Sequence, residues 1–338
     1  MSVQPMGELQ VEVPSGGDPA ASLQPSAEEK IEGRSLGQIA WRRLRKDKVA
    51  LGGAIIAVIF ILIAIFAGPL TAWYGKTPNE SFPDLIDGST TMPTGPFGAA
   101  SGTHWLGVSP VTGQDVLANL IYGARTSLVI ASLATLLSLL IGVTLGLIAG
   151  FFRGWVDAVI ARTMDTILSF PVQLLSIAIV AIFQQVPSFL GLSGTPLRFF
   201  VIIFVLGFFA FPYIGRIVRG QVLSLREKEF VDAARNIGAS NWRIMSREIA
   251  PNVIGPILVY ASLTIPNNIL NEAGLSFLGV GVPAGTPSWG KMLADAGNYF
   301  QVDPTYLFAP GLSIFIVVIG FNLFGDGLRD ALDPKSRR

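Results

Sequence analysis

The chain has 338 residues, 51% hydrophobic and only 14% charged, with a formal net charge of +1 and no cysteine. Soluble domains carry about 25% charged residues, so the composition excludes an ordinary water-soluble enzyme and points to a membrane protein. Without cysteine, neither a disulfide framework nor a thiolate metal site can form.

Residues 1–35 are polar, acidic and contain Pro, Gly and Ser. That is the reverse of a secretory signal and reads as a disordered cytosolic tail. Residues 36–103 hold an N-terminal cytosolic helix, the first span and the start of an outer loop. Uncharged runs then recur at 49–73, 126–152, 166–197, 199–215, 249–271 and 305–325. Most are long enough to cross hydrocarbon, which takes about 20 apolar residues in a helix. The 166–197 run contains Gln184-Gln185-Val186-Pro187, so its helix is expected to end near Phe183. Residues 88–113 are uncharged apart from His104, but their Gly, Pro, Ser and Thr cannot close backbone hydrogen bonds in lipid, so they read as a loop. The expected fold is an all-α integral membrane protein of six transmembrane helices, five of them in a core at 104–338.

Basic residues set the orientation, because loop Lys and Arg are retained on the cytosolic side. With six spans, 20 of the 24 fall inside and only Lys76, Arg125, Arg198 and Lys291 outside. Both termini are therefore expected in the cytosol. The outer segment after the fifth span holds Trp289 to Asp295, which reads either as a short interfacial helix with Trp289 at headgroup level or as a plain loop.

The loop at 221–252 contrasts with the rest, since eleven charges fall in the 33 residues 216–248. Within it Phe230, Ala233, Ala234 and Ile237 recur at helical spacing and form one apolar face. Gly238 stops that helix at low steric cost. Ser240 or Asn241 can cap a second, which runs to Pro251 at the start of the next span. Physics alone leaves two readings open: helices lying on headgroups, or a surface for a partner.

Little else suggests chemistry. The only histidine, His104, lies beside Trp105 in the outer loop, where packing or hydrogen bonding is expected. The run Gly285-Thr-Pro-Ser-Trp-Gly290-Lys291 has phosphate-loop spacing, but Met292 stands where Ser or Thr must hold magnesium. No catalytic residue and no metal site is expected. Arg162 and Asp165 can pair on one helix. Asn267, Asn268, Asn271 and Glu272 lie among apolar residues, and such groups face a helix interface or a wet cavity; pathway lining and helix packing both remain open. Pro171 and Pro212 are expected kinks. Gly142, Gly146 and Gly150 mark a close helix approach, within the bundle or to a second subunit.

The segment Asp232-Ala233-Ala234, Gly238, Ile249-Ala250-Pro251 resembles the signature loop of bacterial ABC importer permeases, with Asp232 where the family usually has Glu. Further segments are similar to dipeptide and oligopeptide permeases: His104-Trp-Leu-Gly107, Gly113-Gln-Asp115, Tyr122-Gly-Ala-Arg125, Gly154-Trp-Val-Asp157, Glu272-Ala-Gly-Leu-Ser-Phe-Leu-Gly279, Pro287-Ser-Trp-Gly290 and Gly325-Asp-Gly-Leu-Arg-Asp. Trp41-Arg-Arg before the first span resembles the "C" member of the permease pair. The resemblance covers about residues 36–337 and departs at Val108 to Thr112, where the commoner pattern is one residue shorter and has Thr-Asp.

The resemblance implies a type I ABC importer permease fold in the bacterial inner membrane. The chain would be a peptide-importing permease without ATPase activity, forming the pathway with a homologous permease. Two partner ATPases would bind ATP and magnesium and dock on a coupling helix made of Phe230, Asp232, Ala233, Ala234, Gly238, Ala239, Ser240, Ile249 and Pro251. An extracytoplasmic peptide-binding protein would deliver substrate; no nucleic acid is implied. Related permeases carry nickel or other small solutes, which stands as the alternative, and an ion-coupled secondary transporter is a further one.

Overall fold

In the computed structural model, residues 41–332 are described. The predicted tail at 1–35 and the last residues, 333–338, lie outside them. Among the described residues the regular elements are helices apart from one small hairpin.

Helix α1 (Lys48–Ile65) starts where the Asp47 carboxylate accepts hydrogen bonds from the Val49 and Ala50 amides, at 2.9 and 3.1 Å. Such a cap satisfies donors that the first turn leaves free. Short α2 (Ala67–Tyr74) continues it and ends at Gly75 in the left-handed conformation. Helix α3 (Val116–Phe152) has 37 residues. At 1.5 Å per residue it spans about 55 Å, well beyond the roughly 30 Å of hydrocarbon, so Arg125 lies inside a helix rather than in a loop.

The third crossing departs from expectation. In place of one helix with a kink there are two, α4 (Gly154–Ser169) and α5 (Val172–Gln184), meeting at 81°. The residue before a proline is pushed out of the helical region, and Phe170 is extended, at φ −80° and ψ 143°, ahead of Pro171. Five other segments are long and apolar enough to cross a membrane, and the bent pair, counted as one broken span, makes a sixth.

Strands β1 (Ser188–Phe189) and β2 (Leu192–Ser193) form a hairpin through Leu190 and Gly191, both at positive φ as a tight two-residue turn requires. Helix α6 (Gly194–Leu225) then returns across the bundle with Pro212 inside it. After the loop come α9 (Ile254–Phe277), α10 (Trp289–Ala296) and α11 (Pro304–Leu332).

Helix α3 is the hub. Its glycine stripe meets α6 of the same chain: a Cβ on Gly146 would stand 2.6 Å from the Gly215 carbonyl, and one on Gly142 2.3 Å from Ile214 Cγ2. The other face of α3 joins α1, α9 and α11 in a core around Ala124, Leu128, Ile269, Trp289 and Phe321. Trp289 is therefore not an interfacial anchor. It is 1% exposed, donates through Nε1 to the Leu120 carbonyl at 3.1 Å, and packs edge-on against Phe60. Large apolar side chains such as Ile55, Leu136, Leu140 and Leu174 cover the outside of the bundle, an arrangement suited to lipid rather than water.

Residues 75–115 fold over the end of the bundle opposite the charged loop. Their anchor is Asp115, 1% exposed. Its Oδ1 caps α3 by accepting from the Ala118 amide, and its Oδ2 meets His104 Nδ1 at 2.8 Å and accepts from the Tyr74 hydroxyl at 3.0 Å. Burial, with Asp115 adjacent, pushes the Tyr74 hydroxyl up to about 12. The segment where the sequence departs from the permease pattern is a small turn: Gly113 donates to the Ser109 carbonyl, Ser109 to that of Gln114, and Val111 sits at φ 66°.

Candidate functional site

Helix α7 (Glu229–Asn236) carries Glu229 and Asp232 in its first turn and Arg235 in its last, charges placed to suit the helix dipole. It ends as the sequence predicts. Gly238 takes φ 79° and donates to the Arg235 carbonyl at 2.9 Å, while Ala239 donates to that of Ala234 at 3.0 Å. This pair of bonds is a Schellman closure, which needs a left-handed residue after the helix and favours glycine there.

Ser240 then caps α8 (Asn241–Arg243), its hydroxyl accepting from the Arg243 amide at 3.4 Å. A wide π-helical turn over Ile244–Ile249 and a tight turn over Ala250–Val253 lead into α9. Pro251 explains the irregularity, because it has no N–H to donate back to the preceding turn. The Ala250 amide reaches Met245 instead.

The inner side of this helix pair is anchored. Val231 is fully buried and Ala234 is 8% exposed, packed with Ile244, Met245 and Ile249 against Val218, Val222 and Phe151; Ala239 borders the same cluster. Helical spacing alone grouped Ala234 with Phe230, Ala233 and Ile237, but those three point outward. Phe230 is 39% exposed, Ile237 82%, and Trp242 from α8 joins them at 72%. Asp232 pairs with Arg235 at 3.1 Å on the same exposed side. The spacing thus joined residues that the structure splits between the two sides, and it missed Val231 as the anchor and Trp242 as an exposed aromatic.

Arginines tie the start of this unit to the bundle and, through Arg219, α6 to α4. Arg153 donates to Glu227 at 2.7 Å, Arg226 donates to the Phe151 carbonyl, and Arg219 holds Asp157 through two hydrogen bonds. Burial pushes the pKa of the Arg226 guanidinium down from its ordinary value, with Arg153 and Arg235 adding to the effect. Asp165 pairs with Arg216 on α6 and not with Arg162, its neighbour in sequence.

The polar residues expected along the fifth span separate into distinct settings. Glu272 is fully buried and accepts hydrogen bonds from Ser127 and Ser276, both at 2.7 Å. Asn268, 2% exposed, donates to Thr135 Oγ1 at 3.0 Å. Asn267 is exposed and bonds back to the Leu263 carbonyl. Asn271 is half-buried and, with Asn268, lines a cavity between α5, α6 and α9.

Five apolar spans, six with the bent pair counted as one, packed through a glycine-lined helix contact and carrying a structured charged loop at one end, define a multi-pass integral membrane protein. Residues 142–338 match the family described as "Binding-protein-dependent transport system inner membrane component", and residues 35–86 match the "N-terminal TM domain of oligopeptide transport permease C". The chain belongs to this family of inner-membrane transport components, whose members are permeases and not enzymes.

A dipeptide transport system permease protein of Alkalihalophilus pseudofirmus is 41% identical over 93% of this chain and 94% of its own length. Glutathione transport system permease proteins of Pectobacterium atrosepticum and Escherichia coli are 36% and 37% identical over 87% of this chain, and 90% and 89% of their own lengths. Among solved structures, the inward-facing MetNI methionine ABC transporter matches at a TM-score of 0.51 and 18% identity, covering 64% of this chain and 97% of that one. That likeness establishes the ABC importer permease fold.

Proposed function

We propose that this chain is the permease subunit of an ATP-driven importer of di- and oligopeptides, and that residues 221–252 are its coupling element. The observation that carries the reading is that Phe230, Ile237 and Trp242 are all exposed on a charged helix pair whose buried side chains are locked against α6 and α9. Large apolar side chains among charges suit a protein partner, and a rigid mount lets a push on them reach the spans.

The partners are two ATP-binding subunits, which hold ATP and magnesium, together with a homologous permease and an extracytoplasmic binding protein. The basic residues at 42–48 and in the 221–252 loop support a cytosolic position for that end and for both termini. ATP binding closes the ATPase pair, the coupling element follows, and the two permeases open their shared cavity outward; hydrolysis resets it. The names of the 36–41% identical relatives support a peptide as cargo.

The test is co-purification of the tagged chain with its ATPases before and after scrambling residues 232–238, with membrane insertion monitored in parallel. Loss of the ATPases with insertion intact is expected. Undiminished ATPase binding by the scrambled chain refutes the coupling role. Dipeptide uptake by proteoliposomes of the whole complex, dependent on ATP, tests the cargo.

A further inference from the structure

Gln173 on α5, Tyr213 on α6 and Asn271 on α9 are among the polar side chains within the spans that make no hydrogen bond among the described residues. They come from three different helices, yet all line one cavity of about 350 Å³, just beyond the 81° bend at Pro171. Ser176 and Asn268 complete its polar lining. Both are buried, at 3% and 2%, and spend donors on the Val172 carbonyl and Thr135. The remaining wall is apolar, with Leu206, Phe209 and Leu275 among it.

Polar groups at membrane depth must find partners, since hydrocarbon offers none. Leu174, next to Gln173, is apolar and 66% exposed, whereas the cavity opens on the outside of the chain where the polar Gln173 is exposed and Tyr213 is 55% exposed. An amide, a phenol and a second amide left without partners at one place mark a space that holds water or a hydrogen-bonding solute. The volume falls in the usual range of small-molecule sites, which are largely apolar with a few placed polar groups.

None of the lining residues carries a formal charge. Carboxamides offer both donors and acceptors, the complement of a peptide bond, whereas a site for a charged side chain would present an opposite charge. We infer that this cavity is a binding site for the main-chain amide of a short peptide in transit, with Gln173, Tyr213 and Asn271 as its contacts. The inference rests on the proposed import of peptides and adds where, and through which group, the peptide is held. A site that reads the main chain accepts many side chains.

The absence of native cysteine allows a direct test in the whole transporter. Gln173→Cys, Tyr213→Cys and Asn271→Cys are each exposed to a charged, water-soluble methanethiosulfonate, with Leu174→Cys as the lipid-facing control. Fast labelling of the three and not of the control, slowed at least threefold by saturating dialanine but not by free alanine, is the expected result. No labelling of the three means the space is packed or filled by lipid, and overturns the inference. Labelling that dialanine leaves unchanged shows a wet cavity without a peptide site, and equally overturns it. ATP-dependent dialanine uptake by the unaltered complex is measured alongside: uptake with unprotected cysteines refutes this site alone, whereas no uptake refutes the peptide reading with it.

Discussion

Arg153 donates to Glu227 at 2.7 Å from a backbone that a non-glycine residue rarely adopts, φ 54° and ψ −167°. The pair joins the corner between α3 and α4 to the start of the charged loop. Strain of this kind costs about 1–3 kcal/mol, while an exposed ion pair contributes about 0–1 kcal/mol. Arg153→Gly should therefore be more stable than Arg153→Ala by ~1 kcal/mol, as read from unfolding midpoints in detergent. Equal midpoints would mean that the corner relaxes.

Glu272 on α9 sits between Ser127 of α3 and Ser276 of its own helix. Glu272→Ala leaves those hydroxyls without their acceptor and opens a void, at a cost of ~2–4 kcal/mol. Glu272→Gln keeps the volume and an acceptor, and should cost ~1 kcal/mol. The yield of monodisperse protein and its thermal midpoint should fall in the order wild type, Gln, Ala.

Gly238 closes α7 at φ 79°, although space for a methyl group is open around it. Gly238→Ala should cost ~1–2 kcal/mol through backbone strain alone, and Gly238→Asn less, because asparagine tolerates this region. Hydrogen exchange across 229–243 should speed up most for Ala, with the membrane helices unchanged.

Asp303 precedes α11 and is only 2% exposed; burial pushes its carboxyl up, offset in part by the Tyr306 and Thr305 amides. The folded state then holds a proton more tightly than the unfolded chain. Its contribution is present at low pH and is lost as pH rises from the ordinary 3.8 through the folded value. In Asp303→Asn, the fall in stability over that window should flatten; an unchanged slope would place the titration elsewhere.

Much of the architecture is legible along the chain. Five of the spans follow from uncharged runs, and the Schellman turn at Gly238 follows from one glycine after a helical period. The sixth crossing was only half legible, since Pro171 announces a disturbance without saying how far the chain turns. The apolar positions of α7 were visible too, but their direction was not: Val231 and Phe230 are neighbours in sequence, and one is buried while the other faces out.

By itself, then, the sequence determined the membrane class, five of the crossings and the position of the loop, because each depends on local composition and short-range period. Tertiary structure decided which polar groups inside the spans are satisfied. Ser127 and Glu272 are 145 residues apart, and Asp165 prefers Arg216 on another helix to Arg162 on its own. It also left Gln173, Tyr213 and Asn271 facing one cavity. Partners of that kind are set by how helices cross, and hydrophobic period carries no information about which helix lies alongside.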